Sequence, residues 1–478
     1  MLSNSLEDVY VSYPKERLAV QQIRNKLKCC NIVILSGLRH VGKTVALKQL
    51  YKSEENAVYL DCRKQEDLIR FDDITDGREK ASLVLLDEYH YHYNCYHFSE
   101  EFEDLARVYN FKLVLTSSSV HFCNVIHFMT LGGGRSELVR MPLLTFAEFL
   151  YFNGRIPDYH NVSEITEQDF LDYTQYTGEL GLPNMTENYI EQLVSDTDTA
   201  YDNYPVNYGD LRLTVNDVRN SLSLLSYNLN SNTKREGMYD PKIGGKELSG
   251  RDILAFKESE EYNIFSITKA VKNIKKLNIE QITKALYFLL WSNLVVVTAR
   301  NDEFSMADLP KYYDVDERIF DTLFDKYQFT AVNPLLYTVI VNELKPLTPA
   351  RLKTVLTSNS LRGLWLEIYL KGSCAYRTPS LVLRSQVCQK PLKSGGNQEI
   401  DIKLEADSIL LESSVSDKEE NRVFFHEFNG QFYRCILATG TKDCVEIMNG
   451  ISVENIPYYK LAVMVDTGDL FKADRKEQ

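Results

Sequence analysis

The sequence contains a complete G-x-x-x-x-G-K-[ST] motif, Gly37-Leu38-Arg39-His40-Val41-Gly42-Lys43-Thr44. Its two glycines let the backbone curl so that N–H groups converge on phosphate oxygens, and the N-terminus of a following helix adds partial positive charge. In such a loop Lys43 reaches the β- and γ-phosphates, and the Thr44 hydroxyl takes a magnesium position. The alternative is a chance glycine-rich turn. The motif follows an apolar run and precedes a helical pattern, so it predicts a P-loop for a nucleoside triphosphate.

Two adjacent carboxylates follow one of the later apolar runs of the chain. Asp87 ends the run Ser82–Leu86, and Glu88 comes directly after it. An aspartate at this point would hold magnesium through water, and the neighbouring glutamate would polarise an attacking water as general base. Apolar runs that end in Asp-Glu also occur where a strand simply leaves the core. Together with the P-loop, the pair predicts the acidic half of a nucleotide site.

Two further segments carry side chains suited to phosphate. Thr116–Ser119 follow the apolar run Phe111–Leu115, and Ser118 there is a candidate contact to the γ-phosphate or the attacking water. Arg135 follows the glycines Gly132–Gly134 and is a candidate arginine finger, because a guanidinium stabilises developing phosphate charge. The alternatives are a hydroxyl-rich turn and a solvated loop arginine.

A cluster of possible metal ligands follows Glu88: His90, His92, Cys95 and His97. Its spacing matches no closed zinc site, and tyrosines are interleaved with it. We therefore favour an ordinary aromatic and polar segment over a metal centre.

The elements that must position these residues alternate between strands and helices. Short apolar runs at Asn31–Ser36, Ala57–Leu60, Ser82–Leu86 and Phe111–Leu115 are separated by helical patterns such as Lys43–Tyr51. Such alternation predicts βαβ units and a parallel sheet covered by helices. The motifs then fall at the carboxyl ends of the strands.

Composition bounds the class of protein. The chain has 478 residues, 44% of them hydrophobic, and a net charge of −13 from 54 Lys and Arg against 67 Asp and Glu. An acidic chain does not favour general nucleic-acid binding. The nine cysteines show no CxxC spacing, the start has no secretory signal, and no apolar run reaches the ~18 residues of a membrane helix. We expect a cytoplasmic protein with no membrane segment.

The whole chain divides into three regions by its sequence pattern. We predict an α/β P-loop domain over residues 1–155, a mostly helical region over 156–357 and a mixed α/β domain over 358–478. In the middle region, a helix at Glu280–Leu290 followed by a strand at Leu294–Thr298 suits either a winged-helix-like unit or simple helical packing. The last region has a helix at Leu361–Leu370 and strand-like runs at Ser380–Val387, Glu399–Leu404, Ser408–Ser413 and Leu461–Val465.

These motifs resemble those of prokaryotic AAA-type ATPases fused to a C-terminal domain of unknown function with a restriction-nuclease-like core. In the P-loop, His40 stands where this group usually has a second arginine, and in Thr116–Ser119 a serine replaces the usual glycine. The resemblance implies ATP and magnesium as cofactors, and roles for Arg135 and Thr116–Ser119 in the nucleotide site. The other stretches that carry it are Leu85–Glu88, Gly134-Arg135, Pro142–Leu150 and Gly178–Pro183.

The resemblance also implies a nuclease-like site in the last region. Such a site needs a helix glutamate, a strand aspartate and a second-strand acid, which hold magnesium against a scissile phosphate. Glu367, Asp401 and Glu412 occupy these positions.

One required residue differs. The lysine expected two residues after Glu412 is Ser414, and the nearby Lys403 and Lys418 are not at the right spacing. We therefore favour a degenerate nuclease fold that serves packing or partner binding.

Together the patterns predict a magnesium-dependent ATPase that acts as a nucleotide-driven switch or assembly factor, with a protein partner or a second copy of the chain, in defence or a DNA-related process. Two alternatives stay open. One is an ATP-gated, metal-dependent DNA nuclease, and the other is a scaffold that binds nucleotide with little turnover.

Overall fold

A computed structural model of the protein describes residues 14–91, 104, 106–127, 136–159, 164–175, 195, 242–243, 246–247, 293–299, 327–334, 359–377, 382–387, 399–404, 406–415, 434–448 and 450–471. The chain divides into two compact units. We call them the N-terminal unit, built mainly from the chain up to Leu144, and the C-terminal unit, built mainly from Thr145 onward.

The N-terminal unit contains a five-stranded sheet in which every pairing is parallel. Its elements are α1 (Leu18–Lys26), β1 (Ile32–Gly37), α2 (Lys43–Ser53), β2 (Ala57–Asp61), α3 (Gln65–Thr75), β3 (Leu83–Asp87), β4 (Lys112–Thr116), α4 (Val120–Val125) and β5 (Glu137–Met141). The strand order is β2-β3-β4-β1-β5. The strand sequences are nearly continuous apolar runs because a parallel sheet is covered on both faces. All six residues of β1 and all five of β3 are buried.

The predicted parallel α/β sheet is therefore confirmed, with one strand that the apolar pattern did not reveal. This strand, β5, pairs with β1 at the edge of the sheet and carries Glu137 and Arg140 among its apolar residues. An edge strand has a neighbour on one side only, so it tolerates charge that a central strand does not. Its sequence consequently lacks the continuous apolar signal of β1, β3 and β4.

The C-terminal unit contains an eight-stranded mixed sheet. The elements of this unit are α5 (Phe146–Phe152), α6 (Glu167–Gln175), β6 (Lys242–Ile243), β7 (Lys246–Glu247), β8 (Val295–Ala299), β9 (Tyr327–Ala331), α7 (Asn359–Ala375), β10 (Val382–Val387), β11 (Glu399–Leu404), β12 (Ile409–Glu412), β13 (Arg434–Thr439), β14 (Cys444–Met448), β15 (Ile451–Pro457) and α8 (Tyr458–Thr467).

The strand order of the mixed sheet is β14-β15-β13-β12-β11-β10-β8-β9. Strand β8 pairs in parallel with β10, with Val297 opposite Val382, so the strand predicted at Leu294–Thr298 belongs to this sheet. The helix predicted before it, Glu280–Leu290, lies outside the described residues.

One predicted strand is wrong. The run Leu461–Val465 lies inside α8, which begins after Pro457 and ends at Gly468 in the left-handed conformation. A short apolar run with β-branched residues fits a buried helix as well as a strand, and its boundaries decide between them. Proline before the first turn and glycine after the last are helix boundaries.

A buried carboxylate in α8 anchors α5 within the C-terminal unit. Asp466 accepts hydrogen bonds from the Ala147 N–H (3.1 Å) and the Tyr369 hydroxyl (2.7 Å), and its second oxygen accepts from Ser373 (3.1 Å). The Tyr369 oxygen in turn accepts from the Phe146 N–H at 2.8 Å. Two orphan donors of the first turn of α5 thus find partners on α7 and α8.

A capping box completes the start of α5. The Thr145 side chain accepts from the Glu148 N–H, and the Glu148 carboxylate accepts from the Thr145 N–H at 3.0 Å. Phe146 also packs edge-on against Phe170 of α6, with ring centroids 5.1 Å apart. The stretch Thr145–Leu150 therefore begins a helix that binds α6, α7 and α8 together.

Candidate nucleotide site

The P-loop motif joins β1 to α2 at the carboxyl edge of the parallel sheet. Gly42 is the N-cap of α2 with φ 97°, a left-handed conformation that favours glycine. At Gly37, a Cβ atom would lie 2.6 Å from the carbonyl oxygen of Met141 in β5. His40 also has positive φ, 66°, which is uncommon for a residue other than glycine. The motif glycines thus stand where the backbone needs them.

Lys43 is buried at the start of α2 and bends back over its own loop. Its Nζ donates to the carbonyl oxygens of Gly37 (2.8 Å) and Leu38 (2.9 Å). These two carbonyls are neutral acceptors at the mouth of the loop. A phosphate oxygen would offer the same ammonium group a stronger, charge-assisted hydrogen bond.

Asp87 ends β3 with almost no exposure and lies beside the P-loop threonine. It accepts hydrogen bonds from the Tyr59 hydroxyl, at 2.7 Å, and from Thr44. Burial raises the pKa of Asp87, and these two hydrogen bonds act in the opposite direction. A hydroxyl and a carboxylate side by side are the hard oxygen ligands that magnesium prefers, so the residues present fit that ion.

Glu88 follows in the left-handed conformation, with φ 55°. Its Oε2 accepts the Ser118 N–H at 2.8 Å and lies 3.5 Å from His90 Nδ1. The side chain remains 19% exposed, unlike that of Asp87. The carboxylate therefore has one fixed hydrogen bond and access to solvent, which a group that polarises water needs.

The hydroxyl segment Thr116–Ser119, at the end of β4, lies at the same carboxyl edge of the parallel sheet. The Thr116 hydroxyl donates to the Leu35 carbonyl of β1 at 2.7 Å, and Ser117, Ser118 and Ser119 are buried. Ser119 is the N-cap of α4 and accepts from the Phe122 N–H. The segment predicted to contact phosphate or water thus begins a helix next to Glu88.

Residues 30–150, which contain all of these groups, match a family model described as an AAA domain. The parallel five-stranded sheet and the P-loop between β1 and α2 agree with that match. This part of the chain therefore resembles an AAA-type P-loop ATPase domain, and we refer to it as the AAA domain.

Solved structures similar to the chain include several nucleotide-binding proteins. The Walker-type ATPase PABY2304 of Pyrococcus abyssi is 15% identical to this chain, with a TM-score of 0.31, and the matched region covers 67% of this chain and 97% of the ATPase. The ORC2 protein of Aeropyrum pernix in its ADP form is 12% identical, covers 72% and 96%, and has a TM-score of 0.29. DnaA from Aquifex aeolicus bound to AMPPCP is 13% identical, covers 61% and 89%, and has a TM-score of 0.24. At these TM-scores the likenesses carry no weight. No curated protein matches the chain.

Two residues at this edge of the AAA domain, Tyr59 and Arg63, carry no signal in the sequence, and His90 stands out there only as part of the histidine and cysteine cluster. Tyr59 holds Asp87, His90 contacts the hydroxyl segment, and Arg63 after β2 donates to both oxygens of Asp61 at 2.8 Å. The hydrogen bonds that Arg63 donates to Asp61, and the charges of Asp61, Glu88 and Asp87, raise the pKa of Arg63. A lone tyrosine or arginine near a strand end is too common to single out without the fold, and the sequence does not show that His90 contacts the hydroxyl segment.

Other predicted residues fall outside the described part of the chain. Arg135, the candidate arginine finger, lies there, as do His92, Cys95 and His97 of the histidine and cysteine cluster. Within the described residues, no group of three or more His, Cys, Asp or Glu side chains is placed to hold a metal ion. No helix in that same part of the chain has the length and hydrophobicity to cross a bilayer.

In the C-terminal unit, the three acids of the predicted nuclease-like site come from α7, β11 and β12. Asp401 Oδ2 accepts from the Ser413 N–H (2.8 Å) and hydroxyl (2.5 Å), and the Asp401 N–H donates weakly to Glu412 at 3.4 Å. Glu367 is ion-paired with Lys371, one helical turn later, at 2.5 Å. Lys371 is only 2% exposed. The structure therefore places a buried cation with the acids.

The raised pKa values of Asp401 and Glu412 show that the acidic groups of this cluster lie close together. Burial and the charge of Glu367 raise the pKa of Asp401, whereas Lys371 acts against them. Burial and the charge of Asp401 raise the pKa of Glu412. Ser414, at the expected lysine position, is buried, and so is Lys403, whereas Lys418 lies outside the described residues.

Proposed function

We propose that the AAA domain binds ATP with magnesium and hydrolyses it. The observation that carries this proposal is the convergence of Lys43, Thr44, Asp87 and Glu88 at one edge of the sheet, each with the partner described above. Lys43 would exchange its neutral carbonyl acceptors for the β- and γ-phosphates. Thr44 and Asp87 would hold magnesium, which neutralises the phosphate charge that develops.

Glu88 is the residue that would allow the domain to hydrolyse ATP as well as bind it. One of its oxygens accepts the Ser118 N–H, which leaves the other to accept a proton from water. Ser118, whose hydroxyl lies 3.4 Å from His90 Nε2, remains our candidate contact to the γ-phosphate or the water. Arg135 remains our candidate for the guanidinium that stabilises transition-state charge, from the same chain or a second copy.

We further propose that turnover drives a conformational cycle rather than metabolism, and that the C-terminal unit binds a protein partner or a second copy of the chain. The resemblance to ATPase–nuclease fusions supports a role in defence or a DNA-related process. In the competing view, the chain is a scaffold that binds nucleotide and barely hydrolyses it.

Phosphate release from ATP and magnesium tests this proposal in the full chain. We expect turnover in wild type, and at least about 100-fold less in Lys43→Ala and in Glu88→Gln, with ATP binding lost only in the first. Lys28→Ala and Glu55→Gln, at exposed sites, serve as matched controls and should behave like wild type. Equal and very slow release from wild type and Glu88→Gln, with tight ATP binding, would establish the scaffold instead.

A metal-dependent nuclease in the C-terminal unit is the second candidate, and one observation favours it. Lys371 brings a buried ammonium group to Glu367, so a cation is present although Ser414 replaces the expected lysine. The same ion pair weighs against it, because Lys371 already neutralises Glu367, one of the three acids that a magnesium ion would need.

Cleavage of supercoiled plasmid with magnesium or manganese, with and without ATP, decides this question. A nuclease predicts nicking that is lost in both Asp401→Ala and Lys371→Met and kept in the exposed-site control Asp407→Ala. If the plasmid stays intact under every condition, the cluster is structural and the partner-binding role stands alone.

A further inference from the structure

His90 is a fully enclosed polar side chain beside the proposed general base. It lies in a single helical turn, Tyr89–Tyr91, directly after Glu88, and has 0% exposure. Its Nδ1 is 2.8 Å from Ser117 Oγ and 3.5 Å from Glu88 Oε2, and its Nε2 is 3.4 Å from Ser118 Oγ. The imidazole therefore bridges the end of β3 and the end of β4.

The serines that it contacts fix the turn that holds Glu88. Ser117 Oγ accepts the Ser119 N–H at 2.9 Å, which sets the path of the backbone after β4. Between these two residues, the Ser118 N–H points to Glu88 Oε2 at 2.8 Å. A contact that locks Ser117 thus also aims the one N–H that orients the Glu88 carboxylate.

Glu88 itself needs such support. Its left-handed backbone, with φ 55°, is unfavourable for a residue other than glycine and persists only where neighbouring contacts impose it. The enclosed imidazole, packed 4.2 Å from the Tyr91 ring by centroid distance, supplies a rigid neighbour on the same turn.

We propose that His90 is a positioning residue for ATP hydrolysis: through the Nδ1–Ser117 contact it fixes the β4–α4 turn, and that turn aims Glu88. The inference rests on the proposed ATPase function. It assigns the imidazole no contact with nucleotide and no proton transfer to substrate. Lys43, Thr44 and Asp87 bind the phosphates and magnesium independently of His90, so its loss affects turnover and not nucleotide affinity.

Three replacements separate this role from simple core packing. Asn places an amide, with both a donor and an acceptor, close to the position of Nδ1. Gln places the same amide close to Nε2, and Phe keeps the ring shape without either nitrogen. The contact to Ser117 is shorter than that to Ser118, so His90→Asn should preserve the positioning and His90→Gln should not.

The experiment measures kcat and KM for ATP and, separately, the affinity for a fluorescent ATP analogue in the full chain. We expect His90→Phe and His90→Gln to lower kcat by about 10- to 100-fold with nucleotide affinity within about twofold of wild type, since a small misplacement of a reacting group has effects of this size. His90→Asn should recover most of the loss. Ser117→Ala, which removes the other side of the contact, should lower kcat in the same way.

Several outcomes would overturn the inference. A His90→Phe enzyme that turns over like wild type, or an Asn variant as slow as the Phe variant, would contradict a role for Nδ1. If His90→Phe loses nucleotide binding through misfolding, Ser117→Ala decides, and an unchanged kcat there removes the proposal. Failure of the ATPase function itself is recognised separately, because wild type would then bind nucleotide without releasing phosphate.

Discussion

Both units of the chain combine acidic side chains with a buried lysine, but the lysine has a different partner in each. In the N-terminal unit Lys43 donates to two main-chain carbonyls. Asp87 and Glu88 accept from neutral donors there, a tyrosine hydroxyl and a main-chain N–H. In the C-terminal unit Lys371 is 2.5 Å from the Glu367 carboxylate.

The difference shows that residue types alone do not make a phosphate or metal site. A phosphate that reaches Lys43 replaces neutral acceptors with charged ones, so the exchange favours binding. A phosphate or metal ion that reaches the second cluster must first separate the ion pair between the buried Lys371 and the partly buried Glu367. The cluster of Glu367, Lys371, Asp401 and Glu412 already balances part of its own charge, which suits a structural role.

The largest expected effect comes from removing the lysine of the C-terminal cluster. Lys371→Met leaves Glu367 and its acidic neighbours without their buried cation, and breaking such a pair from one side costs about 3–5 kcal/mol. Hydrogen–deuterium exchange of α7 and chemical unfolding of the full chain would measure it. Lys43→Met is the matched control and should lower stability by about 1 kcal/mol, because the hydrogen bonds lost there go to neutral carbonyls.

Adding Glu367→Gln to Lys371→Met sharpens the comparison. The double variant removes the charge that was left unpaired and should recover a substantial part of the lost stability. If the single and double variants unfold alike, the ion pair does not compensate the acids, and the distinction between the two units fails.

A second expected effect is the dependence of the C-terminal unit on pH. Burial raises the pKa of Asp466 to about 7, while its hydrogen bonds from Tyr369, Ala147 and Ser373 oppose this shift. The unfolded carboxyl loses its proton near its ordinary value of 3.8, so between that pH and about 7 the folded state holds the extra proton. Stability is therefore fully present at low pH and is lost as the pH rises through this window, by about 2–3 kcal/mol between pH 5 and 8.

Unfolding of the full chain at pH 5, 6, 7 and 8 would check the sign. Asp401 and Glu412, whose pKa values are also raised by burial, contribute in the same direction. Asp466→Asn should be less stable than wild type at pH 5 but show a flatter slope, whereas Asp407→Asn, at an exposed site, should keep the wild-type slope. An Asp466→Asn slope equal to that of wild type would mean that this carboxyl does not titrate with unfolding.

The sequence predicts the N-terminal site well because its signals are local. The P-loop fixes its own geometry through Gly37 and Gly42, and the acids Asp87 and Glu88 end an apolar run that is a buried strand of the sheet. Strand β5 is not predicted from its sequence, because its edge position tolerates charged residues that interrupt the apolar run.

What the sequence does not predict depends on contacts between distant segments. Tyr59 reaches Asp87, and His90 reaches Ser117, only because β2, β3 and β4 are neighbours. Lys371 is different, since it stands one helical turn after Glu367, a spacing at which side chains on a helix meet. A search limited to the position two residues after Glu412 overlooks it.

The smallest expected effect concerns Tyr59, whose hydroxyl is the neutral donor that orients Asp87. Tyr59→Phe removes the 2.7 Å hydrogen bond, which both fixes the carboxylate and favours its ionised form. A neutral hydrogen bond of this kind contributes about 1 kcal/mol, so the magnesium concentration for half-maximal ATP hydrolysis should rise about three- to tenfold. The KM for ATP at saturating magnesium should stay unchanged, and Tyr109→Phe, at an exposed site, should have no effect. A lower magnesium requirement in Tyr59→Phe would show instead that the phenol competes with the ion for Asp87, and the N-terminal acids would then be partly self-compensated, as the C-terminal ones are.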